Sequence, residues 1–196
     1  MNTTQSVLNR FTKVAIGIAC LAAACAHADD AEMLEGARKV ASDVPPKLVK
    51  VLMGEIAKDG VVSAVSVCKE KAPQMAKSAS EQTGWGIRRV SLRNRNPKAV
   101  PDAWEQTGLE DFDRRTAAGE SPATLEKFAL VETDGRKEFR YMKALPVQKM
   151  CLACHGATQD VKPEVAEKIR ALYPDDKGVG YALGQIRGAI TLRKGQ

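Results

Sequence analysis

The chain has 196 residues, 28% charged and 44% apolar, and its 30 Lys and Arg outweigh 24 Asp and Glu for a net charge of +6. That length suits one domain, and the mild positive excess is dispersed, with no block of like charge to mark a nucleic-acid or membrane-surface patch. Two histidines, five cysteines and few aromatic residues exclude any chemistry built on several imidazoles.

Met1 to Lys13 is polar, with Arg10 and Lys13 and no acidic residue, and Val14 to Ala24 is an unbroken run of small and apolar residues. With Ala26-His27-Ala28 fitting the A-x-A cleavage rule, residues 1–28 read as a secretory signal peptide and the mature chain, 29–196, as one exported domain. The apolar run is shorter than the roughly 20 residues that a bilayer requires, so no membrane span is expected in the mature chain. Ala22-Ala23-Ala24-Cys25 lacks the leucine usually wanted at the first position of a lipoprotein site. Cleavage removes Arg10, Lys13, Cys20, Cys25 and His27, which leaves a charge of +4, a single histidine, His155, and the cysteines Cys68, Cys151 and Cys154.

Asp30 to Ser42 reads as a helix that Asp43-Val44-Pro45-Pro46 stops, since proline lacks the helical donor and restricts the residue before it. Lys47 to Lys58 restarts the pattern with Leu48, Val51, Leu52 and Ile56 mostly on one face, and Asp59-Gly60 is a turn. The next helix, Val61 to Ser80, carries an apolar stripe at Val61, Val65, Cys68, Ala72, Met75, Ala76 and Ala79, with Pro73 expected to bend it near Lys69. Trp85 to Leu92 reads as a strand, Arg93 to Pro101 as a polar loop and Asp102 to Ala118 as a helix. Phe128 to Glu132 and Lys137 to Leu145 flank Thr133-Asp134-Gly135 as a hairpin that Pro146 closes. After a Cys-rich stretch, Pro163 to Leu172 is helical, Tyr173-Pro174-Asp175-Asp176 is a turn and Gly184 to Leu192 is a last strand.

That Cys-rich stretch, Cys151-Leu152-Ala153-Cys154-His155, has the Cys-x-x-Cys-His spacing of covalent haem attachment. Two thiols three residues apart can form thioethers with the vinyl groups of one haem edge, and the adjacent imidazole, His155, suits the iron as proximal ligand. A thioredoxin-like dithiol would follow the first strand of a βαβ unit, and a zinc site would need a second Cys/His pair that is missing here. Export agrees with haem attachment, which bacteria complete outside the inner membrane. With one histidine, bis-histidine ligation within a mature chain is excluded, which leaves Cys68, a methionine, a lysine or an open sixth position. Arg89, Arg93, Arg95 and Arg187 are candidates to fork onto the haem propionates, and Arg93 and Arg95 are assigned to the cofactor.

A series of motifs in one order carries a resemblance: Val67-Cys68-Lys69-Glu70-Lys71-Ala72-Pro73, Arg89 through Pro97, Pro101-Asp102-Ala103-Trp104-Glu105, Cys151 through Gly156, Tyr173-Pro174-Asp175-Asp176, and Gly180-Tyr181 to Ala189. Over most of the mature chain the sequence resembles bacterial c-type haem proteins with a PAS-like fold, which occur as exported proteins and as periplasmic sensor domains. One departure is Ala99 or Val100, where that family's loop usually has asparagine. The resemblance implies an α+β fold, a PAS-like antiparallel sheet flanked by N-terminal helices, with one haem c ligated by His155 and Cys68. It also implies a periplasmic protein for redox or ligand sensing, or for low-potential electron transfer with an unidentified redox or signalling partner, rather than an enzyme.

Overall fold

The computed structural model describes residues 5–133 and 135–195, with side chains from residue 29 onward except Thr133. The chain forms two compact units, residues 1–36 and 37–196. The side chains of residues 1–28, on which the signal-peptide expectation falls, lie outside the described residues, as does Asp134 in the expected hairpin turn. No helix among the described residues is long and apolar enough to cross a membrane.

Helix α1 spans Gln5–Thr83 and is interrupted at Gly60, whose φ of 83° and ψ of 176° are not helical. Glycine takes that φ without a Cβ clash, so the break falls on the Asp59-Gly60 turn. The expected stop at Pro45 and Pro46 does not occur, because both prolines lie inside the helix. Each proline forfeits one backbone hydrogen bond, and of the two carbonyls released, those of Ala41 and Ser42, the second belongs to an exposed residue.

Four strands among the described residues form one antiparallel sheet in the order β1-β4-β3-β2: β1 Gly86–Val90, β2 Glu126–Thr133, β3 Arg136–Pro146 and β4 Ile186–Gly195. The α+β class is therefore observed. The last strand starts two residues later than expected because Gly184, at φ 84°, belongs to the preceding turn. Strand alternation sends Val90, Met142, Ala144 and Ala189 to one face, where α2 (Ala103–Ala117) covers them with Leu109 and Phe112. Gly108 permits that approach, since a Cβ there would stand 2.8 Å from Met142 Sδ. Phe139 and Tyr141 point to the other face, where Trp85 meets the Phe139 ring edge-on at 6.0 Å.

An ionic cluster locks α2 to the sheet. Asp102 is the N-cap, accepting from Glu105 N at 2.9 Å, while the Glu105 side chain accepts from Asp102 N at 2.9 Å, a reciprocal capping box. Glu105 is fully buried, and its carboxylate is met by Arg88 Nη2 at 3.0 Å, Arg193 Nη2 at 3.2 Å and Arg140 Nη2 at 3.4 Å. Arg140 and Arg193 also reach Asp102. Burial alone would raise the Asp102 carboxyl, but the Glu105 N–H and Arg140 overcome it and hold it below the ordinary carboxylate range. The stability that Asp102 contributes is thus complete above its unfolded pKa, about 3.9, and is lost as the pH falls towards its lower folded value.

Removing Glu105 takes the buried carboxylate away from three arginines whose Nε groups already lack a hydrogen-bond partner. Glu105→Ala should cost about 3 to 5 kcal/mol in urea denaturation, the range for breaking a buried ion pair. Glu110→Ala, exposed on the same helix, should change stability by less than about 0.5 kcal/mol.

Candidate cofactor site

The Cys-x-x-Cys-His stretch leaves β3 through a 3-10 turn, Lys149–Cys151, and forms the short helix α3, Leu152–His155. Gly156 ends that helix by donating from its N to Leu152 O at 2.9 Å, and a Cβ there would lie 2.6 Å from the same oxygen, so the position requires glycine. Backbone pairs fasten both flanks: Val147 N to Gln185 O at 2.8 Å, Gly180 N to Gly156 O at 2.7 Å, and Tyr181 N to His155 O at 2.9 Å.

His155 Nδ1 lies 2.6 Å from Gly178 O. A carbonyl only accepts, so we assign the proton to Nδ1, which leaves the Nε2 lone pair free for a metal. Burial, then the charges of Arg187 and Arg95, push the imidazole pKa far below its usual value, against the opposing pull of the Gly178 carbonyl. The ring is neutral throughout the physiological range. Arg187 Nε also lies 3.1 Å from Nδ1, and with that nitrogen protonated the contact is electrostatic crowding rather than a second hydrogen bond.

Arg187 reaches this place through a β-bulge. The β3–β4 register shifts so that Leu145 pairs with Gly188 and Pro146 with Ile186, and Arg187 is the extra residue. A bulge re-aims the side chain it carries. Arg187 Nη1 then donates to Ser91 Oγ at 2.9 Å and Arg93 O at 3.2 Å. Burial and the neighbouring Arg89 lower its pKa to about 10, and it remains charged at neutral pH.

Arg95 is a strut. Its Nε and Nη2 form a fork onto Asp176, both at 3.0 Å, and Nη2 also donates to Cys154 O at 2.7 Å. Asp176 Oδ1 in turn accepts from Gly178 N at 2.7 Å. The guanidinium assigned from sequence to the cofactor is thus engaged in holding the motif's backbone. Arg93 is exposed and sits over the Tyr181 ring, 4.2 Å from its centroid.

Cys68 comes to the site on the second run of α1. One turn earlier, Val65 packs with Val161, Val165, Ile169 and Tyr173, and Cys154 packs against the same cluster, which includes helix α4, Pro163–Leu172. Lys69 Nζ anchors the helix to Leu172 O at 3.2 Å. Cys68, Cys151 and Cys154 are free thiols. Burial raises the Cys68 pKa, Arg89, Arg95 and Arg187 oppose it, and Cys151 is close enough to add to the rise. Burial also pushes the Cys154 thiol up to about 11. No group of three or more His, Cys, Asp or Glu among the described residues converges as a bare metal-ion site.

Arg89, one of the four arginines that the sequence offers as propionate candidates, is placed by its strand. Along β1, Arg88 turns to Glu105 and to Val100 O at 2.6 Å, on the α2 side. Arg89 therefore points to the opposite face, within electrostatic reach of Cys68 and Cys151. It is solvent-exposed. Among the described residues its guanidinium has no hydrogen-bond or ion-pair partner.

A family model described as Tll0287-like matches residues 19–194, and the chain belongs to that family. Its fold is similar to that of the cyanobacterial heme-protein Tll0287, whose crystal structure aligns with a TM-score of 0.59 at 23% identity over 85% of this chain and 94% of that one. No curated protein matches.

The Arg95–Asp176 pair is buried on both sides, with side-chain exposures of 8% and 9%. Arg95→Met should therefore destabilise the fold by about 3 kcal/mol in chemical denaturation, leaving a buried carboxylate unpaired. Adding Asp176→Leu should recover part of that loss, and strictly additive costs would show that the two are not coupled.

Proposed function

We propose that this member of the Tll0287-like family is an exported, periplasmic protein that holds one covalent haem c in a PAS-like domain and senses redox state or a ligand of the iron. The observation that carries the reading is His155: a neutral imidazole, one residue beyond a Cys-x-x-Cys pair, with Nδ1 bound to a carbonyl and Nε2 presented. The donor set fits a haem better than a zinc ion, because a single imidazole is accompanied by free thiols and an unpartnered guanidinium. The similar cyanobacterial protein is a heme-protein, which supports the same cofactor here. The antiparallel sheet, with its first and last strands paired, supports the PAS-like reading.

In this reading Cys151 and Cys154 would hold the porphyrin by thioethers, and His155 and Cys68 would ligate the iron. Arg89 and Arg93, rather than Arg95, have guanidiniums available to a propionate. When bound, the haem supplies a one-electron redox centre whose potential a thiolate lowers relative to methionine. Gly178 orients the imidazole, and burial, together with Arg187 and Arg95, keeps it neutral. Sensing is favoured over plain electron carriage by the placement of Cys68: it lies on a long helix separate from the motif, so gain or loss of its sulfur is transmitted to α1.

The test is the EPR and absorption spectrum of the oxidised protein beside Cys68→Ala. Loss of a low-spin thiolate signature in the variant, with haem still attached, is the expected result. Identical spectra would remove Cys68 from the iron.

A further inference from the structure

Three arginines among the described residues are buried, and two of them meet carboxylates: Arg95 forks onto Asp176, and Arg140 reaches Asp102 and Glu105. Arg187, 6% exposed, forms no ion pair among the described residues. Its Nη1 donates to two neutral oxygens, Ser91 Oγ at 2.9 Å and Arg93 O at 3.2 Å, and its guanidinium carbon lies 5.3 Å from the centroid of the Tyr181 ring. Hydrogen bonds and an aromatic face offset part of the cost of burying a cation, but they leave its charge standing.

That charge is held against His155. The bulge in β4 aims the side chain, and Gly178 makes room for its end, since a Cβ there would stand 2.6 Å from Arg187 Nη2. The residue whose carbonyl orients the imidazole thus also admits the guanidinium, and Arg187 Nε comes to 3.1 Å from His155 Nδ1. With the proton on Nδ1 this contact forms no hydrogen bond. What Arg187 supplies to the imidazole is therefore charge, in a buried place where water screens it little.

We propose that Arg187 sets the reduction potential of the site, its buried and unneutralised charge holding that potential above the value that imidazole and thiolate alone would give. This inference rests on the haem reading. An iron ligated by His155 carries one more positive charge when ferric than when ferrous, so a fixed cation close by disfavours the ferric form more. A thiolate from Cys68 acts in the opposite direction. The step is a one-electron exchange in which ferric iron takes an electron from an outside donor and becomes ferrous, and no bond or proton moves at Arg187.

The experiment is a spectroelectrochemical titration of the exported, haem-loaded protein at pH 7, with the electrode as the electron source. Wild type is compared with Arg187→Gln, which keeps donors but no charge, with Arg187→Met, which keeps neither, and with Arg187→Lys, which keeps the charge. At a fixed applied potential the ferric-to-ferrous ratio should rise by about ten-fold or more in both neutral variants, a downward shift of about 59 mV or more for one electron. Arg187→Lys should stay within about three-fold of the wild-type ratio. Either neutral variant decides the matter if the other fails to fold. The proposal is overturned if a haem-loaded neutral variant titrates as the wild type does, or if Arg187→Lys shifts as far as Arg187→Gln, which would assign the effect to lost packing. A mature protein that shows no haem wave at all overturns the haem reading and this inference together, whereas a normal wave that does not move with Arg187 overturns this inference alone.

Discussion

The Gly178 carbonyl determines what His155 can do, and a closed ring of contacts determines where that carbonyl sits. Arg95 forks onto Asp176, Asp176 accepts from Gly178 N, Gly178 O accepts from His155 Nδ1, and Arg95 returns to Cys154 O beside His155. The ring joins the polar loop after β1, the cysteine motif and the turn after α4, segments far apart in sequence. Without it the imidazole could rotate or change tautomer, and a histidine beside two cysteines would be only a sequence pattern. Orientation of a ligating imidazole through its second nitrogen is the usual way a protein sets a metal ligand.

Charge in the site is unbalanced in a way that matches the proposed cofactor. Arg89, Arg95 and Arg187 all act electrostatically on Cys68, whereas Asp176 is the carboxylate that the ring supplies. Concentrating cations in a partly buried site is costly unless anions join them. A haem brings two carboxylates, and a cysteine that loses its proton brings a thiolate. The α2 side of the sheet shows the contrasting case, in which Arg88, Arg140 and Arg193 are consumed by Asp102 and Glu105 and serve stability. Adjacent residues of β1, Arg88 and Arg89, thus serve opposite faces and different purposes.

Local patterns made much of this legible in the sequence. The helix Pro163–Leu172 and, to within a residue at each end, the helix Ala103–Ala117 were legible locally, and the hairpin was marked by its Asp-Gly turn, because each depends on neighbours within a few residues. Pro45 and Pro46 misled, since a local penalty of two lost hydrogen bonds was outweighed in a long helix that continues through them. The cysteines and His155 were singled out by spacing alone. Their supports were not: the Arg187 bulge, the Asp176 fork and the Gly178 carbonyl are long-range pairings with no spacing rule. Arg89 had one usable signal, the alternation of β1, which puts it on the face opposite Val90. Arg95 looked like a ligand-binding arginine from its loop context, and only its distances show that its guanidinium is engaged within the protein.

The most direct measurement is the mass of the proteolytic fragment containing Cys151 and Cys154, taken from protein exported by cells able to attach haem. A fragment heavier by one haem, with neither cysteine available to a thiol reagent, is the expected result. A fragment of unmodified mass with both thiols reactive, from protein whose maturation was otherwise complete, would contradict the central claim.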